Sequence, residues 1–273
     1  MKIVPLAMVP LCLFVSSCSV MDVLGPRPNA EIVGLARQAE ADALSLGGAS
    51  EAAGLRSRQA ADLWAEVARL CGVDAAGAPP SSCVVVRGPG DAMGASEPSD
   101  MSVALRDTVA ADISSVPEES TDLVVSQAVD AAALVPVDPP QARVDDSGDL
   151  TAARAMLEQE YSYDYALGLA LSVAGPELAA RIGNFREAGA DRREYLSQLL
   201  APSGPVPVPA AGYEFTDADR EATPETAQQL VDDLNGQLVS AWRRTAADAQ
   251  STRWSSASIS LAASAQRASL SSI

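Results

Sequence analysis

The chain has 273 residues, with 36 aspartate and glutamate residues against 19 lysine and arginine residues, and it contains no histidine. A Ser-His-Asp triad, a Cys-His dyad and a histidine-ligated zinc or di-iron site are therefore excluded. The net charge of −17 argues against a basic surface for nucleic acid, so we expect no nucleic-acid partner. The length suits one or two domains of ordinary size.

Residues 1–17 have the layout of a secretory signal peptide. Lys2 supplies a positive charge, and an apolar stretch follows over residues 3–15. That stretch is shorter than the roughly 20 residues that a membrane-spanning helix needs. We therefore expect the protein to be exported and residues 1–17 to be removed.

The residues around the expected cleavage site, Val15, Ser16, Ser17 and Cys18, resemble a bacterial lipobox. The resemblance implies diacylglycerol on the Cys18 thiol, cleavage before Cys18 and often a fatty acyl chain such as palmitate on the new amine. Two or more acyl chains give stable anchoring, which one chain does not. We expect a lipoprotein on the outer face of the cell membrane, with residues 18–29 as its tether. The alternative is an ordinary cleaved signal with Cys18 near the site by chance.

Two cysteines remain once Cys12 leaves with the signal peptide and Cys18 carries lipid. Cys71 and Cys83 bracket a stretch rich in glycine, proline and alanine, in a compartment that is expected to be oxidising. We predict a disulfide between them. Two unpaired thiols or a metal pair are the alternatives, although two cysteines alone lack the ligand number of a structural zinc site.

An N-terminal helical region is predicted over residues 30–134. Its apolar residues recur at three- and four-residue steps, which is the pattern of amphipathic helices. Asn29 and Ser50 are predicted N-caps, and residues 72–97 read as a loop. The predicted helices cover residues 30–46, 51–71, 99 to about 115, and 120–134.

Residues 135–149 hold three prolines and four aspartates, a composition that predicts a linker between two domains. The alternative is that both halves pack as one unit and that this segment is only a crossover. Ser147 or Asp149 is the predicted cap of the next helix, and Thr223 the cap of a later one. The predicted helices of this half cover residues 150–174, 178–199, 224–249 and 251–270. The last of them is rich in serine and alanine and is expected to fray.

The predicted fold class is all-α. Aromatic residues make up only 4% of the chain, so the core must be built from alanine, leucine and valine. Small core residues suit closely packed helices, which favours helix bundles. The one run rich in β-formers, residues 83–86, is short and isolated.

The second half also carries a set of polar and aromatic residues at characteristic spacings. These residues are Leu157, Glu160, Tyr165, Gly168, the run Arg192, Arg193, Glu194, Tyr195 and Leu196, then Tyr213, residues 227–242 and Arg253. Over residues 150–254 the chain thereby resembles a ferritin-like domain family of unknown function, found mainly in actinobacterial lipoproteins. The resemblance implies a ferritin-like four-helix bundle over residues 150–273 and no known activity. Where that family usually has two histidines, this chain has Tyr161 and Gly189.

Acidic residues on an apolar stripe are the main candidate site. Glu160 and Asp164 share the stripe of Leu157 and Leu167, and Arg192 shares that of Phe185 and Leu196. We predict a buried polar pair in which Glu160 or Asp164 contacts Arg192 or Arg193 across the bundle. A di-iron site or an all-carboxylate calcium or manganese site is the alternative. No catalytic residue, metal ligand or cofactor is predicted.

The leading hypothesis for function is a membrane-anchored, non-catalytic envelope protein with a binding or structural role. Its partner would be another envelope protein or a cell-wall component, bound through the acidic surface. The alternative hypothesis is a carboxylate-only metal-binding protein or an oxidoreductase remnant of the ferritin-like fold. The sequence leans away from an enzyme, because the residue type that would carry the chemistry is missing.

Overall fold

The computed structural model describes residues 25–48, 50–73, 77–141, 143–213 and 223–270. Within these residues there are eight α-helices and no β-strand, so the predicted all-α class is confirmed. The helices are α1 (Ala30–Ser45), α2 (Glu51–Cys71), α3 (Pro98–Asp112), α4 (Glu118–Leu134), α5 (Ser147–Leu171), α6 (Pro176–Leu200), α7 (Pro224–Ala247) and α8 (Thr252–Leu270).

Most helices begin where the sequence predicts. Asn29, Ser50 and Thr223 each accept a hydrogen bond from a backbone N–H of the first turn that follows, which confirms them as N-caps. The cap of α5 was predicted at Ser147 or Asp149 and is Asp146, whose carboxylate accepts the N–H groups of residues 148 and 149. The carboxylate of Asp149 is used elsewhere, as described below.

The helices form two rings of four that share a pair. In the first ring, α3 contacts α4, α4 contacts α7, α7 contacts α8 and α8 contacts α3. In the second ring, α5 contacts α6, α6 contacts α8, α8 contacts α7 and α7 contacts α5. Helices α1 and α2 pack on each other, and α2 contacts α4. Helices α7 and α8 therefore pack against both halves of the chain.

Helix α8 holds the longest continuous buried run among the described residues, 254–263, whereas the sequence predicted that this helix would fray. Its large side chains, including Trp254, Ile259 and Leu261, are buried, and so are its serines 255, 256, 258 and 260. The Ser255 hydroxyl donates to the Ala246 carbonyl oxygen over 2.9 Å, and the Ser260 hydroxyl donates to that of Ser256 over 3.2 Å. Small side chains let neighbouring helices approach on several sides at once, so this composition suits a central helix.

The segment predicted as a linker, residues 135–149, contacts helices of both halves, and its last three residues are the start of α5. Val144 is buried in the core. The carbonyl oxygen of Asp138 accepts from the Arg106 guanidinium of α3 over 3.1 Å, and that of Pro140 accepts from the Tyr195 hydroxyl of α6 over 2.8 Å. Among the described residues, every helix is too short or too polar to cross a lipid bilayer.

Candidate functional site

Glu160 of α5 and Arg192 of α6 form a buried ion pair in the second ring. The Arg192 Nε donates to Glu160 Oε1 over 2.7 Å, and Arg192 Nη2 donates to Oε2 over 3.0 Å. The two side chains are 0% and 2% exposed. This two-point contact matches the planar fork of the guanidinium to both oxygens of the carboxylate. It joins two of the residues that the sequence singled out.

A third helix completes the coordination of the Glu160 carboxylate. The indole N–H of Trp242, on α7, donates to Glu160 Oε1 over 2.8 Å. The neighbouring Tyr163 donates its hydroxyl to Asn235 Oδ1 over 3.2 Å, also on α7. Burial raises the pKa of the Tyr163 hydroxyl, which therefore remains a protonated donor at neutral pH. The interior of this ring is thus a hydrogen-bonded structural junction of three helices.

Asp164 and Arg193 lie at the edge of this ring rather than inside it. Asp164 contacts the Arg186 guanidinium at 3.0 and 3.3 Å and Arg193 Nη2 at 3.5 Å, and all three side chains are partly exposed. The predicted set of four residues therefore divides into a buried pair and a surface group. Beyond Glu160 the buried stripe continues through Tyr163, Leu167 and Ala170, and Asp164 lies beside it rather than on it.

The two positions where the resembled family has histidine have different surroundings. A Cβ atom added at Gly189 would lie 3.7 Å from Glu160 Oε2 and 3.0 Å from Arg193 Nη1. This position therefore faces the buried carboxylate, beside the two arginines. Tyr161 points elsewhere, because its hydroxyl donates to the Pro207 carbonyl oxygen over 3.4 Å. In the described part of the chain, no three acidic, cysteine or histidine side chains form a group that could hold a metal ion.

A second buried ion pair, which the sequence analysis missed, lies between α1 and α2. The Arg56 Nε donates to Asp42 Oδ2 over 2.9 Å, and the two side chains are 0% and 4% exposed. Burial lowers the pKa of the Arg56 guanidinium, and the Asp42 carboxylate opposes that effect. The other oxygen of Asp42 accepts from the Gln38 side chain over 2.9 Å and from the Ala95 backbone N–H over 3.0 Å.

The Asp42–Arg56 pair extends into a polar network that reaches α4. The Arg56 Nη1 donates to Gln59 Oε1 over 2.6 Å. Gln59 donates its side-chain amide to the carbonyl oxygen of Gln127 on α4, and Gln127 donates in return to the carbonyl oxygen of Gln59. The sequence carried a signal for this network. Asp42 is three residues after Ala39, and Arg56 is three after Ala53 and four before Ala60, so both charges interrupt apolar stripes.

Two further acidic side chains, one buried and one exposed, cap or join helices. Asp149 accepts from the Gln250 backbone N–H over 2.8 Å and from the Ser251 hydroxyl over 2.6 Å, at the start of α8. Asp107 of α3 accepts from the Ser256 hydroxyl of α8 over 2.9 Å. Negative charge near a helix N-terminus is favourable, which accounts for the burial of Asp149.

The two cysteines at positions 71 and 83 are joined by a disulfide in the structure, with their Cα atoms 6.2 Å apart. The bridge connects the end of α2 to the loop that follows it. Cys18, the predicted lipidation site, lies outside the described residues, as do residues 1–17.

Comparison of the chain with protein-family models, with curated proteins and with solved structures found no match. The candidate site consists of two buried arginine–carboxylate pairs, each of which joins neighbouring helices.

Proposed function

We propose that this protein is a lipid-anchored, non-catalytic envelope protein whose helical body binds another protein or a cell-wall component through its acidic surface. The inference that the protein is non-catalytic rests on the hydrogen bonds that the Glu160 carboxylate accepts. Both of its oxygens accept hydrogen bonds, from Arg192 on one side and from Arg192 and Trp242 on the other. The residue that a bundle of this kind would use for chemistry serves here as a structural acceptor.

Catalysis or metal binding at this position would have to compete with the hydrogen bonds that both carboxylate oxygens already accept. A general base must reach the proton that it abstracts, and a metal ion must replace the guanidinium as the positive partner. Displacing Arg192 would leave a buried cation without its counter-ion, at a cost of about 3–5 kcal/mol. The pair therefore favours a role in holding the helix register over a role in a reaction.

Two features of the sequence support the location and the mode of binding. The lipobox-like residues before Cys18 favour lipid anchoring after export. The charge of −17, with no histidine to offset it, favours a partner that presents amines or other cations. The partner chemistry is thus that of a basic protein surface or an amine-bearing cell-wall polymer.

Anchoring is tested by metabolic labelling with a fatty-acid analogue. We expect labelled wild-type protein in the membrane fraction, and no label on the C18A variant. Equal labelling of both proteins would contradict the assignment of Cys18.

The non-catalytic assignment is tested by metal analysis of protein purified without chelator. We expect no stoichiometric iron or manganese, and no change in melting temperature when Fe²⁺, Mn²⁺ or a chelator is added. Stoichiometric iron or manganese would instead support the carboxylate-only metal protein or oxidoreductase remnant.

The partner is sought with a carbodiimide, which couples carboxylates to amines. Lys2 is the only lysine of the chain and belongs to the predicted signal peptide, so the helical body has no side-chain amine for internal coupling. Adducts formed on intact cells therefore report carboxylates of this protein next to amines of a neighbour. We expect discrete adducts that high salt suppresses; their absence at low salt would contradict binding through the acidic surface.

A further inference from the structure

We propose that the loop after α2 is a membrane-contacting tip, and that Val84 and Val86 rest in the lipid headgroup region beside the anchor. This inference rests on the lipid anchor of the proposed function. It adds an orientation, in which the end of the molecule that carries the disulfide faces the bilayer and the helical rings point away from it.

The first observation is the alternation of burial along an extended stretch of this loop. Cys83 is buried and Val85 packs against the core, whereas Val84 and Val86 are 76% and 84% exposed. Residue 84 has extended backbone angles, in which successive side chains point to opposite sides. Two large apolar side chains therefore project together, away from the core and into solvent. Exposure of this apolar surface to water is unfavourable, so contact with an apolar phase would be favoured.

The second observation is the position of the tether. The Ser82 hydroxyl donates to the Pro26 carbonyl oxygen over 2.8 Å, so the chain leaving towards Cys18 starts next to these valines. From Cys18 to Pro26 the fully extended chain reaches at most about 29 Å. A lipid on Cys18 therefore keeps this end of the molecule close to the bilayer surface, whatever path the tether takes.

The third observation is the charge distribution. Residues 77–90 contain no acidic residue and one basic residue, Arg87, in a chain whose net charge is −17. Repulsion from anionic headgroups is therefore weaker at this loop than over the acidic remainder of the surface. Arg87 lines a cleft together with Glu40 of α1, so its positive charge partly offsets that carboxylate.

The disulfide gives this tip a fixed shape. It ties Cys83, directly before Val84, to the last residue of α2. The disulfide thus restrains the backbone that carries the two valines, so this segment loses little conformational freedom on contact with lipid. A lipid surface is favoured over a protein partner because the anchor already holds the tip within reach of the bilayer.

The test uses the lipidated protein, purified from membranes and inserted into phosphatidylcholine vesicles. A nitrobenzoxadiazole fluorophore is attached at V86C or, as a matched control, at V208C. Val208 is 79% exposed in a different loop, and the disulfide keeps Cys71 and Cys83 from reacting. The mass of the N-terminal peptide of the same preparation reports acylation of Cys18 separately.

We expect lipids brominated near the headgroup to quench the fluorophore at position 86 about twofold or more, as for a side chain buried 5–10 Å into the interface. Quenching at position 208 should stay within error of that in lipid-free buffer. Adding V84D to the V86C chain should remove the quenching, whereas V208D should leave it unchanged.

Equal quenching at positions 86 and 208 on acylated protein would overturn the proposed orientation and leave the anchor intact. Unacylated Cys18 would overturn both the anchor and the tip. Quenching at position 86 that V84D does not reduce would mean that the fluorophore alone contacts lipid, and would overturn the role of the valines.

Discussion

Two buried arginine–carboxylate pairs hold this molecule together, and they are built differently. Glu160 receives all three of its hydrogen bonds from other helices, two from Arg192 and one from Trp242. Asp42 receives one from Arg56 and two from neutral groups, the side chain of Gln38 on its own helix and the backbone N–H of Ala95.

The difference lies in how the buried negative charge is compensated. Glu160 depends on a single guanidinium that approaches both of its oxygens. Asp42 spreads the same task over a cation, an amide side chain and a backbone N–H. A carboxylate with two neutral donors, such as Asp42, tolerates the loss of its cation better than Glu160, whose one neutral donor is Trp242. The two halves of the molecule should therefore respond unequally to the same substitution.

The largest effect is expected for R192A. The substitution leaves the Glu160 carboxylate buried with only the Trp242 donor, so the free energy of unfolding should fall by about 3–5 kcal/mol. Urea titration followed by circular dichroism measures this loss. The matched control is R186A on the same helix, which removes a partly exposed contact to Asp164 and should cost no more than about 1 kcal/mol.

A double variant separates the pair from its surroundings. E160Q/R192M removes both charges and keeps an acceptor for the Trp242 indole N–H, so it should recover most of the stability lost in R192A. A loss equal to that of R192A would mean that packing of the arginine stem, and not its charge, holds the helices.

A smaller effect is expected for R56A. Asp42 keeps its hydrogen bonds from Gln38 and Ala95, so the loss should be about 2–3 kcal/mol, below that of R192A. R58A removes an exposed arginine of the same helix and serves as the control. A loss for R56A that exceeds that for R192A would reverse the proposed ranking of the two pairs.

A weaker effect of opposite sign is expected in α8, which packs against both halves. Within the described residues, the buried Ser258 hydroxyl has no hydrogen-bond partner, so S258A should stabilise the fold by up to about 1 kcal/mol. S255A removes the bond to Ala246 and should destabilise by about 1 kcal/mol. Thermal melts of the two variants should shift in opposite directions; shifts of equal sign would contradict this assignment.

The smallest effect concerns a third acidic group, Glu66 of α2. Hydrogen bonds from Arg69, with a further one from Ser120, lower the pKa of the Glu66 carboxyl. A lowered folded-state pKa contributes stability above the unfolded pKa, and this contribution is lost as the pH falls through the folded value. E66Q should therefore lose less stability than wild type between roughly pH 5 and pH 3. Parallel pH profiles would show that this pair adds nothing to stability.

Local sequence patterns were sufficient for the helices and for the set of four residues, Glu160, Asp164, Arg192 and Arg193, that contains the buried pair, but not for which two of them are buried. The caps Asn29 and Ser50 follow from the side-chain chemistry of a helix start, and Glu160 was found because it interrupts an apolar stripe. The same criterion, applied to the first two helices, would have found Asp42 and Arg56. The sequence therefore carries the same signal for the second pair as for the first.

The position of α8 could not be predicted from its own sequence. Serine and alanine have weak hydropathy, so the helix looks exposed and unstable when it is considered alone. Its burial depends on what α3, α4, α6 and α7 present to it, and that is a property of the tertiary arrangement. The Asp149 carboxylate likewise finds its partners at residues 250 and 251, about a hundred positions away.

The central place of α8 has a consequence for the order of folding. It contacts helices that precede it by a long stretch of chain: Asp107 bonds Ser256 across 149 residues, and Arg106 contacts Ser260 across 154. Contacts at such separation form slowly, because the intervening chain must first lose its freedom. A chain that emerges from its N-terminus therefore holds α3 and α4 with one face uncovered until α8 has been made. Helices α3 and α4 can therefore complete their packing only after α8 has been synthesised and has docked against them.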